Sequence, residues 1–415
     1  MLRDLKLNFN LKLKNNLAYY ISFIILGLFP IVPFSIKPYL LAPICLTSIV
    51  HSIKHKKHFG NLRFPGISCL LFLPFFISFF HSSDTNTAVD LLLRLSPFLL
   101  IPLAFSVAPV HHYESYKNGF INTFIVSCFF FCILICGYSL SLDSNDLPYI
   151  YSHIRDKFWG YEEHPIYISL YLGLSLILLV QSTLKKNIKF IFFITIFFTL
   201  LFLSRKGNIL SLFFVLLFTL MYRTELLINK TSLRLFLVAS TIFTLSIFLF
   251  NNFIVERFKA ILDVGSFLYN PSLSSGIRSI VWRSCIALIS ESPFIGYGLG
   301  DVQVLINSKL IDDGYEQLTN LFSYNAPVYY NAHNQYLQLS LSSGLFGLFV
   351  FLVILAWMIL KLIKKKDVLG LNIFIYLMLC FMFESYLERQ NGIIISAIFF
   401  NLFYFNCRTS LNQKQ

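Results

Sequence analysis

Two basic side chains stand between apolar stretches in the segment Ser204-Arg205-Lys206-Gly207. An arginine at the start of a helix can bind an anion, because the helix dipole and the guanidinium both favour negative charge. A turn whose long side chains only extend toward water is the alternative interpretation. Because charge inside a membrane segment usually has a function, Arg205 is a candidate anion-binding residue and Lys206 a candidate contact.

A second candidate, Arg278, lies in a polar interval that runs from residue 251 to residue 333. The apolar residues after it predict a short amphipathic helix that ends before Pro293, with Ser274 or Ser275 as its cap. Such a helix could lie at the membrane interface and place Arg278 beside a lipid headgroup. The alternative is an ordinary solvated charge on a loop.

His333 stands directly before a long apolar stretch, where Asn331 or Asn334 can cap the helix that begins there. The dipole at this helix start and the arginines disfavour the charged imidazole. A neutral imidazole can accept a proton, so His333 is a candidate general base. A histidine that only caps the helix is the alternative. His164 likewise precedes an apolar stretch and is a candidate for substrate contact or a simple helix start.

Further charged residues lie near predicted helix ends. Asp90 and Arg94 are four residues apart, so they can form an ion pair on one helix face. Glu384, Glu388 and Arg389 lie in a turn before the last apolar stretch. They either reach the same cavity as His333 or cap helices.

The composition indicates a membrane protein. Of 415 residues, 56% are hydrophobic and 13% are charged, whereas a soluble domain has roughly 25% charged residues. The formal net charge of +13 comes from short clusters between apolar stretches, as membrane topology requires, so no nucleic-acid partner is expected. Asp312-Asp313-Gly314 is similar to an acidic metal loop but lacks further ligands. We therefore expect no metal ion and no cofactor.

Apolar stretches of about 20 residues predict an all-α polytopic membrane protein with about twelve transmembrane helices. The predicted spans are 17–35, 38–52, 65–81, 88–108, 119–141, 165–182, 187–203, 207–222, 232–250, 334–360, 369–385 and 391–407. The second span is short and could be re-entrant.

Lysine and arginine residues predict the orientation of these spans. Every strongly basic short loop falls on one side of the membrane, which indicates cytoplasmic termini. The long loop is then extracytoplasmic, contains short helices and carries candidate site residues. The chain is one integral membrane domain with helices one to nine at 1–250, the outer loop at 251–333 and helices ten to twelve at 334–415.

Four motifs follow one another along the chain: Ser-Arg-Lys-Gly at 204–207, Gly-x-Arg-x-x-x-Trp at 276–282, Pro-Phe-x-Gly-x-Gly at 293–298 and Ala-His-Asn-x-Tyr-Leu at 332–337. Their succession resembles that of the O-antigen ligase and Wzy-type polymerase superfamily. His-Pro-Ile-Tyr at 164–167 and Glu-Ser-Tyr-Leu-Glu-Arg at 384–389 are similar to segments of one of its branches. Lys206 departs from the pattern, because many members have a small residue there.

The resemblance implies a metal-independent glycosyltransferase with a GT-C-type membrane fold in the bacterial inner membrane, with its active site facing the periplasm. Such enzymes move a glycan from undecaprenyl diphosphate to an acceptor, which in O-antigen ligases is a hydroxyl of the lipid A-core. By resemblance, Arg205 and Arg278 hold the donor diphosphate and His333 activates the acceptor. The candidate substrate contacts are His164, Arg94, Lys206, Asn334, Glu388 and Arg389.

Several functions remain open at this stage. Ligation to the lipid A-core, polymerisation of glycan repeats and transfer to a protein use the same chemistry, whereas a polysaccharide or small-anion transporter uses none. A transporter would place its charges at broken helices near the membrane midplane, often with an internal repeat. Here the unusual residues gather at the outer face. This distribution favours an enzyme, and the resemblance favours a ligase.

Overall fold

The computed structural model describes residues 17–55, 63–142, 153–155, 158–180, 182–203, 205–222, 274–316, 318 and 330–407. Within these ranges the chain is helical and contains no strand, as the apolar pattern predicted. The ninth predicted span at 232–250, the first part of the outer loop at 251–273 and Ser204 lie outside the described residues.

The α-helices of the described ranges follow one another along the chain as α1 (Leu17–Gly27), α2 (Ala42–His55), α3 (Arg63–Cys69), α4 (Leu73–Phe79), α5 (Thr85–Leu95), α6 (Pro97–Val107), α7 (Tyr113–Ser141), α8 (Pro165–Leu179), α9 (Lys186–Phe202), α10 (Lys206–Tyr222), α11 (Ser274–Glu291), α12 (Val302–Asp312), α13 (Gln335–Lys365), α14 (Val368–Phe381) and α15 (Gln390–Asn406). Short 3-10 helices at Phe34–Leu41, Leu70–Phe72, Val110–His112 and Tyr386–Glu388 extend or join them. Pro97 and Pro165 open α6 and α8, because the missing N–H of proline costs nothing at a first helical position.

Several of these helices are suited to a lipid environment. In the described ranges, those long and apolar enough to cross a membrane are Phe34–Lys54, Thr85–Val107, Val110–Ser141 and Gln335–Lys365. Shorter apolar helices lie at Leu17–Gly27, Pro65–Phe79, Pro165–Leu179, Lys206–Thr219 and Val368–Phe381. The apolar helices indicate a membrane protein, whereas the total of about twelve spans and the GT-C-type fold stay predictions.

The second predicted span is longer than its apolar pattern indicated. The 3-10 helix Phe34–Leu41 runs directly into α2, and together they provide a stretch of 21 residues. A stretch of this length can cross a bilayer, since a spanning helix needs about 20 residues. The interpretation of 38–52 as a short, re-entrant segment is therefore not required.

Helices α8 and α15 form the centre of the hydrophobic core. Every residue of α8 is buried, and so is every residue of α15 after Gln390. Both helices are therefore buried on all sides, which is typical of a mostly apolar helix that other helices surround. Helix α8 packs against α7, α9, α10 and α14, and α15 packs against α6 and α14. These contacts fix the positions at which both central helices begin.

Helices α11 and α12 build a second, smaller hydrophobic cluster. Its buried side chains are Ile280, Val281, Cys285 and Leu288 of α11 with Val302, Ile306 and Leu310 of α12. Helix α11 ends before Pro293, as predicted. The helix begins at Ser274, the first described residue of this segment, so the predicted cap at Ser274 or Ser275 stays a prediction. Since α11 also packs on α13, its apolar face contacts protein.

The proline and glycine motif after α11 fits into a break in α13. The break lies at Gly344, which has a left-handed φ of 68°. The N–H of Tyr297 donates to the carbonyl of Leu341 at 2.8 Å, and the N–H of Leu345 donates to the carbonyl of Pro293 at 2.7 Å. The loop thus satisfies backbone groups that the broken helix leaves unpaired, as helix ends require. This pairing anchors the segment 293–298 to α13.

Asp301 anchors the same segment to the start of α5. Its carboxylate accepts hydrogen bonds from Oγ of Ser82 at 2.9 Å and from the N–H groups of Ser83 and Asp84 at 2.7 and 2.9 Å. Asp84 in turn caps α5 by accepting from the N–H of Thr87. Two separate anchors therefore hold the segment 293–301 that follows α11, the helix that carries the candidate Arg278.

Candidate active site

The imidazole of His333 contacts the carboxylate of Glu384, with Nδ1 2.9 Å from Oε1. His333 has a left-handed backbone with a φ of 44°, a conformation that histidine adopts more often than most residues. Its N–H donates to Oδ1 of Asn331 at 2.9 Å, and the side chain of Asn334 caps α13, as predicted. The two asparagines stabilise the turn that directs the imidazole toward Glu384.

Glu384 links this histidine to Arg278. Its second oxygen, Oε2, lies 3.5 Å from a terminal nitrogen of Arg278. Burial opposes ionisation of the carboxyl, but the charges of His333 and Arg278 lower the pKa of Glu384 to about 2. Because an ionised carboxylate only accepts hydrogen bonds, Nδ1 of His333 donates to Oε1, and in the neutral imidazole the lone pair then lies on Nε2. His333 is therefore held in the tautomer that a general base needs.

The turn that carries Glu384 joins α14 to α15 and is bonded to the start of α13. Oγ of Ser385 accepts from the N–H of Asn334 at 3.2 Å. Oε1 of Gln335 accepts from the N–H of Leu387 at 2.7 Å. These two bonds place the carboxylate opposite the residue that precedes α13.

Arg205 stands directly before α10, as predicted for an arginine at a helix start. Asn208 in the first turn of α10 donates through Nδ2 to the carbonyl of Ile166 at 3.0 Å. It also accepts through Oδ1 from the hydroxyl of Tyr386 at 2.7 Å. Helix α10 therefore begins beside the first turn of α8 and beside the turn between α14 and α15. The structure thus brings Arg205 into the same region as Glu384.

His164 is neutral in these positively charged surroundings. It caps α8, with Nδ1 accepting from the N–H of Ile166 at 3.3 Å. Burial lowers the pKa of His164 to about 3, the charges of Arg205 and Arg389 add to this effect, and the charge of Glu384 opposes it. Because Nδ1 is an acceptor, the ring proton lies on Nε2. His164 therefore presents an uncharged N–H donor.

A cavity of about 410 Å³ opens beside His164. Its walls carry Arg155, Arg389, Glu162, Glu163, His164 and the rings of two aromatic residues. The carboxylate of Glu163 forms a buried ion pair with Lys37, and each of its oxygens accepts a hydrogen bond from Nδ2 of Asn391 at 2.8 Å. Arg389, a predicted substrate contact, is exposed in the wall of the same cavity.

Glu388, another predicted contact, is buried. Burial raises the pKa of Glu388 to about 7, while hydrogen bonds from Gln338 and Gln303 and the charge of Arg94 act in the opposite direction. Arg94 thus lies near Glu388. Asp90 and Arg94 do not form the ion pair that their spacing allows, because none of the ion pairs within the described residues joins them.

Two further predicted contacts occupy helix ends. Oδ1 of Asn334 accepts from the N–H groups of Tyr336 and Leu337 at 2.9 and 3.2 Å. Lys206 is the first residue of α10 and is half-buried. Across the described ranges, no group of three or more His, Cys, Asp or Glu side chains could hold a metal ion.

The sequence pattern did not reveal the role of Glu384. The sequence predicts that the turn around Glu384 reaches the cavity or caps helices. It indicates Glu388 and Arg389, and not Glu384, as substrate contacts. Arg155 and the Lys37–Glu163 ion pair were also missed. The signal for Glu384 along the chain is a carboxylate beside apolar stretches, which often has a function. Its partner lies 51 positions away, and no local pattern connects the two.

Comparison with known proteins agrees with the motifs. Residues 190–352 match the family model described as O-antigen ligase, whose members are glycosyltransferase-like ligases and polymerases. No curated protein matches the chain. The matched region contains Arg205, Arg278 and His333. Over this region the match supports the O-antigen ligase-like superfamily that the motifs resemble, and the apolar helices indicate a membrane protein.

Proposed function

We propose that the chain transfers an O-antigen glycan from undecaprenyl diphosphate to the lipid A-core oligosaccharide, at the periplasmic face of the bacterial inner membrane. One observation carries the proposal: Glu384 contacts both His333 and Arg278. This contact joins a candidate general base to an arginine expected at the donor diphosphate. Transfer from a diphosphate to a hydroxyl needs both a base and stabilisation of the departing anion.

His333 acts on the acceptor. Its Nε2 takes the hydroxyl proton while the hydroxyl oxygen attacks the anomeric carbon of the donor glycan. The buried, ionised carboxylate of Glu384 stabilises the resulting imidazolium through Nδ1–H, as a carboxylate beside a catalytic histidine does. The new carbon–oxygen bond forms opposite the bond to the diphosphate that breaks, so the configuration at the anomeric carbon is inverted.

Arg278 and Arg205 act on the donor. The diphosphate leaves with the electron pair of the broken bond, and guanidinium groups bind such anions bidentately. Arg278 keeps 36% of its side chain exposed, and its contact with Glu384 at 3.5 Å engages only part of its donors. Arg205 precedes α10, so the dipole of that helix adds to its charge. Because the arginines stabilise the anion, the proposed reaction is metal-independent.

The acceptor distinguishes this function from its alternatives. A polymerase of glycan repeats and a protein O-oligosaccharyltransferase would use the same base and the same arginines. A polysaccharide transporter needs no general base, so the contact of His333 with Glu384 favours an enzyme.

Lipopolysaccharide from a deletion strain separates these functions. For a ligase, we expect full-length glycan to accumulate on the carrier while the lipid A-core remains without it. A core with a single repeat would indicate a polymerase. Carrier-linked glycan that stays on the cytoplasmic side would indicate a transporter, and either of these two results would contradict ligation.

His333→Ala tests the general base directly. We expect kcat for glycan transfer by the purified protein to fall by roughly 10²–10⁴-fold, because the acceptor hydroxyl keeps its proton. Binding of the donor should change little. His111→Ala provides the matched control, since His111 is an exposed histidine of the 3-10 helix Val110–His112. Near-normal turnover of His333→Ala would show that another group is the base.

A further inference from the structure

Arginine side chains determine the electrostatic potential at the cavity beside His164. Arg155 and Arg389 both line it, and both are exposed. Glu163 is compensated by Lys37, with both side chains only 1% exposed. Glu162 is the remaining carboxylate among the lining residues. Arg205, Arg389 and Arg155 each lower the pKa of His164 while Glu384 opposes them, so the potential at this wall of the cavity favours an anionic ligand.

Two central helices begin at this cavity. His164 is the N-cap of α8 and Arg389 is the N-cap of α15, and the side chains of both residues line the cavity. The positive ends of both helix dipoles add to the charges of the arginines. Nε2–H of His164 supplies an uncharged donor, because Nδ1 already accepts from the first turn of α8. The arginine guanidinium groups, the uncharged N–H of His164 and the two helix N-termini can together bind phosphate oxygens.

The size of the cavity indicates more than a single bound ion. Its volume of about 410 Å³ lies within the range of small-molecule sites, roughly 300–1,000 Å³. The aromatic rings of Phe34 and Tyr167 form part of its wall. A phosphate group attached to a sugar or to a lipid would use both the cationic and the apolar parts of this surface.

We propose that the cavity formed by Arg155, His164 and Arg389 is a second anion-binding site, which takes a phosphate group of a substrate in addition to the contacts of Arg205 and Arg278. The phosphate has two sources. It belongs either to the diphosphate of the donor or to a phosphorylated sugar of the acceptor. The choice of substrate rests on the function proposed above, whereas phosphate binding at the cavity does not.

Binding of inorganic pyrophosphate to the full-length protein in nanodiscs tests the site without turnover. All variants carry Arg278→Gln as a common background, so that one proposed diphosphate contact is absent throughout. In this background, Arg155→Gln and Arg389→Gln should each weaken pyrophosphate binding roughly tenfold, as expected for the loss of one charge-assisted contact. The matched control is Arg283→Gln, which removes an exposed arginine of α11 outside the cavity.

The control should leave the dissociation constant of pyrophosphate unchanged, and thermal melting confirms that each variant is folded. If Arg155→Gln and Arg389→Gln both bind pyrophosphate as their background does, the proposal is wrong. An equal loss in the Arg283→Gln control would also overturn it, because binding would then follow net charge instead of the cavity.

Kinetics of glycan transfer by Arg389→Gln, with Arg278 intact, then distinguishes the two sources. A higher KM for the acceptor at an unchanged donor KM assigns the cavity to an acceptor phosphate. A higher KM for the donor assigns it to the diphosphate. If pyrophosphate binding falls while both KM values stay unchanged, the substrate assignment is overturned. Absence of transfer by the unmodified protein would contradict the proposed function and leave the binding result intact.

Discussion

Glu384→Gln removes the charge at the centre of the site while it keeps the size of the side chain. His333 and Arg278 then lose the carboxylate that they share. The amide nitrogen of glutamine can also donate to Nδ1 of His333. That bond would move the ring proton to Nε2, the atom proposed to take the proton of the acceptor hydroxyl. Both effects oppose general base catalysis.

The size of the effect follows from the pKa of Glu384, which is about 2 instead of the ordinary 4.5. The difference, 4.5 minus about 2, corresponds to roughly 3 kcal/mol in favour of the ionised carboxylate after the cost of burial. If roughly half of this stabilises the imidazolium in the transition state, transfer slows by about tenfold. The wrong tautomer lowers kcat further, by up to about 10⁴-fold in comparable sites. We therefore expect a loss of at least about tenfold in kcat.

The assay measures initial rates of transfer from an undecaprenyl diphosphate-linked glycan by protein in nanodiscs. The donor KM should not rise, because Arg278 keeps its charge when the carboxylate is removed. Glu291→Gln is the matched control, since Glu291 is an exposed glutamate at the end of α11. A folded Glu384→Gln variant with the kcat of the unmodified protein would refute this reasoning. An effect confined to the donor KM would place Glu384 in donor binding instead.

Three further changes test other parts of the structure. Arg278→Lys should slow transfer by roughly tenfold, because an ammonium cannot bind a diphosphate bidentately; full activity would show that a point charge is sufficient. Burial raises the pKa of Glu388 from 4.5 to about 7, so its contribution to stability is complete below about pH 4.5 and decreases by up to roughly 3 kcal/mol as pH rises through 7. Glu388→Gln should therefore remove this pH dependence from the melting temperature, and an unchanged slope would contradict the assignment. Gly344→Ala should destabilise the fold by roughly 1–3 kcal/mol or more, because φ is 68° and a Cβ would lie 2.0 Å from the carbonyl oxygen of Phe294. Gly137→Ala should not lower the melting temperature, because an added Cβ at this helical position would meet nothing within 4 Å beyond its own helix; equal melting of the two variants would refute this explanation.

The helical class and several helix ends follow from local properties of the chain. A run of apolar residues long enough to cross a bilayer must be helical, because lipid offers no partners to the backbone. Pro165 opens α8, Asn334 caps α13 and Pro293 follows the end of α11. Each of these signals acts within about one helical turn, so a single sequence is sufficient to find it.

The candidate base and the candidate arginines were also visible in the sequence. Arg205 and His333 stand directly before apolar helices, where an ionisable side chain is costly unless it has a function. Arg278 was recognised through a motif in the outer loop. The resemblance supplied their roles, and the structure adds that His333 and Arg278 share a carboxylate.

Tertiary packing decided what these residues contact. Glu384 lies in a turn with Glu388, yet one carboxylate contacts His333 and the other is buried near Arg94. Asp90 and Arg94 have the spacing of a helical ion pair but do not form one. Neither result is encoded in a local pattern, because the distances depend on how α13, α14 and α15 pack. The cavity beside His164 has the same origin, since segments far apart in the chain meet only when the central helices are buried together.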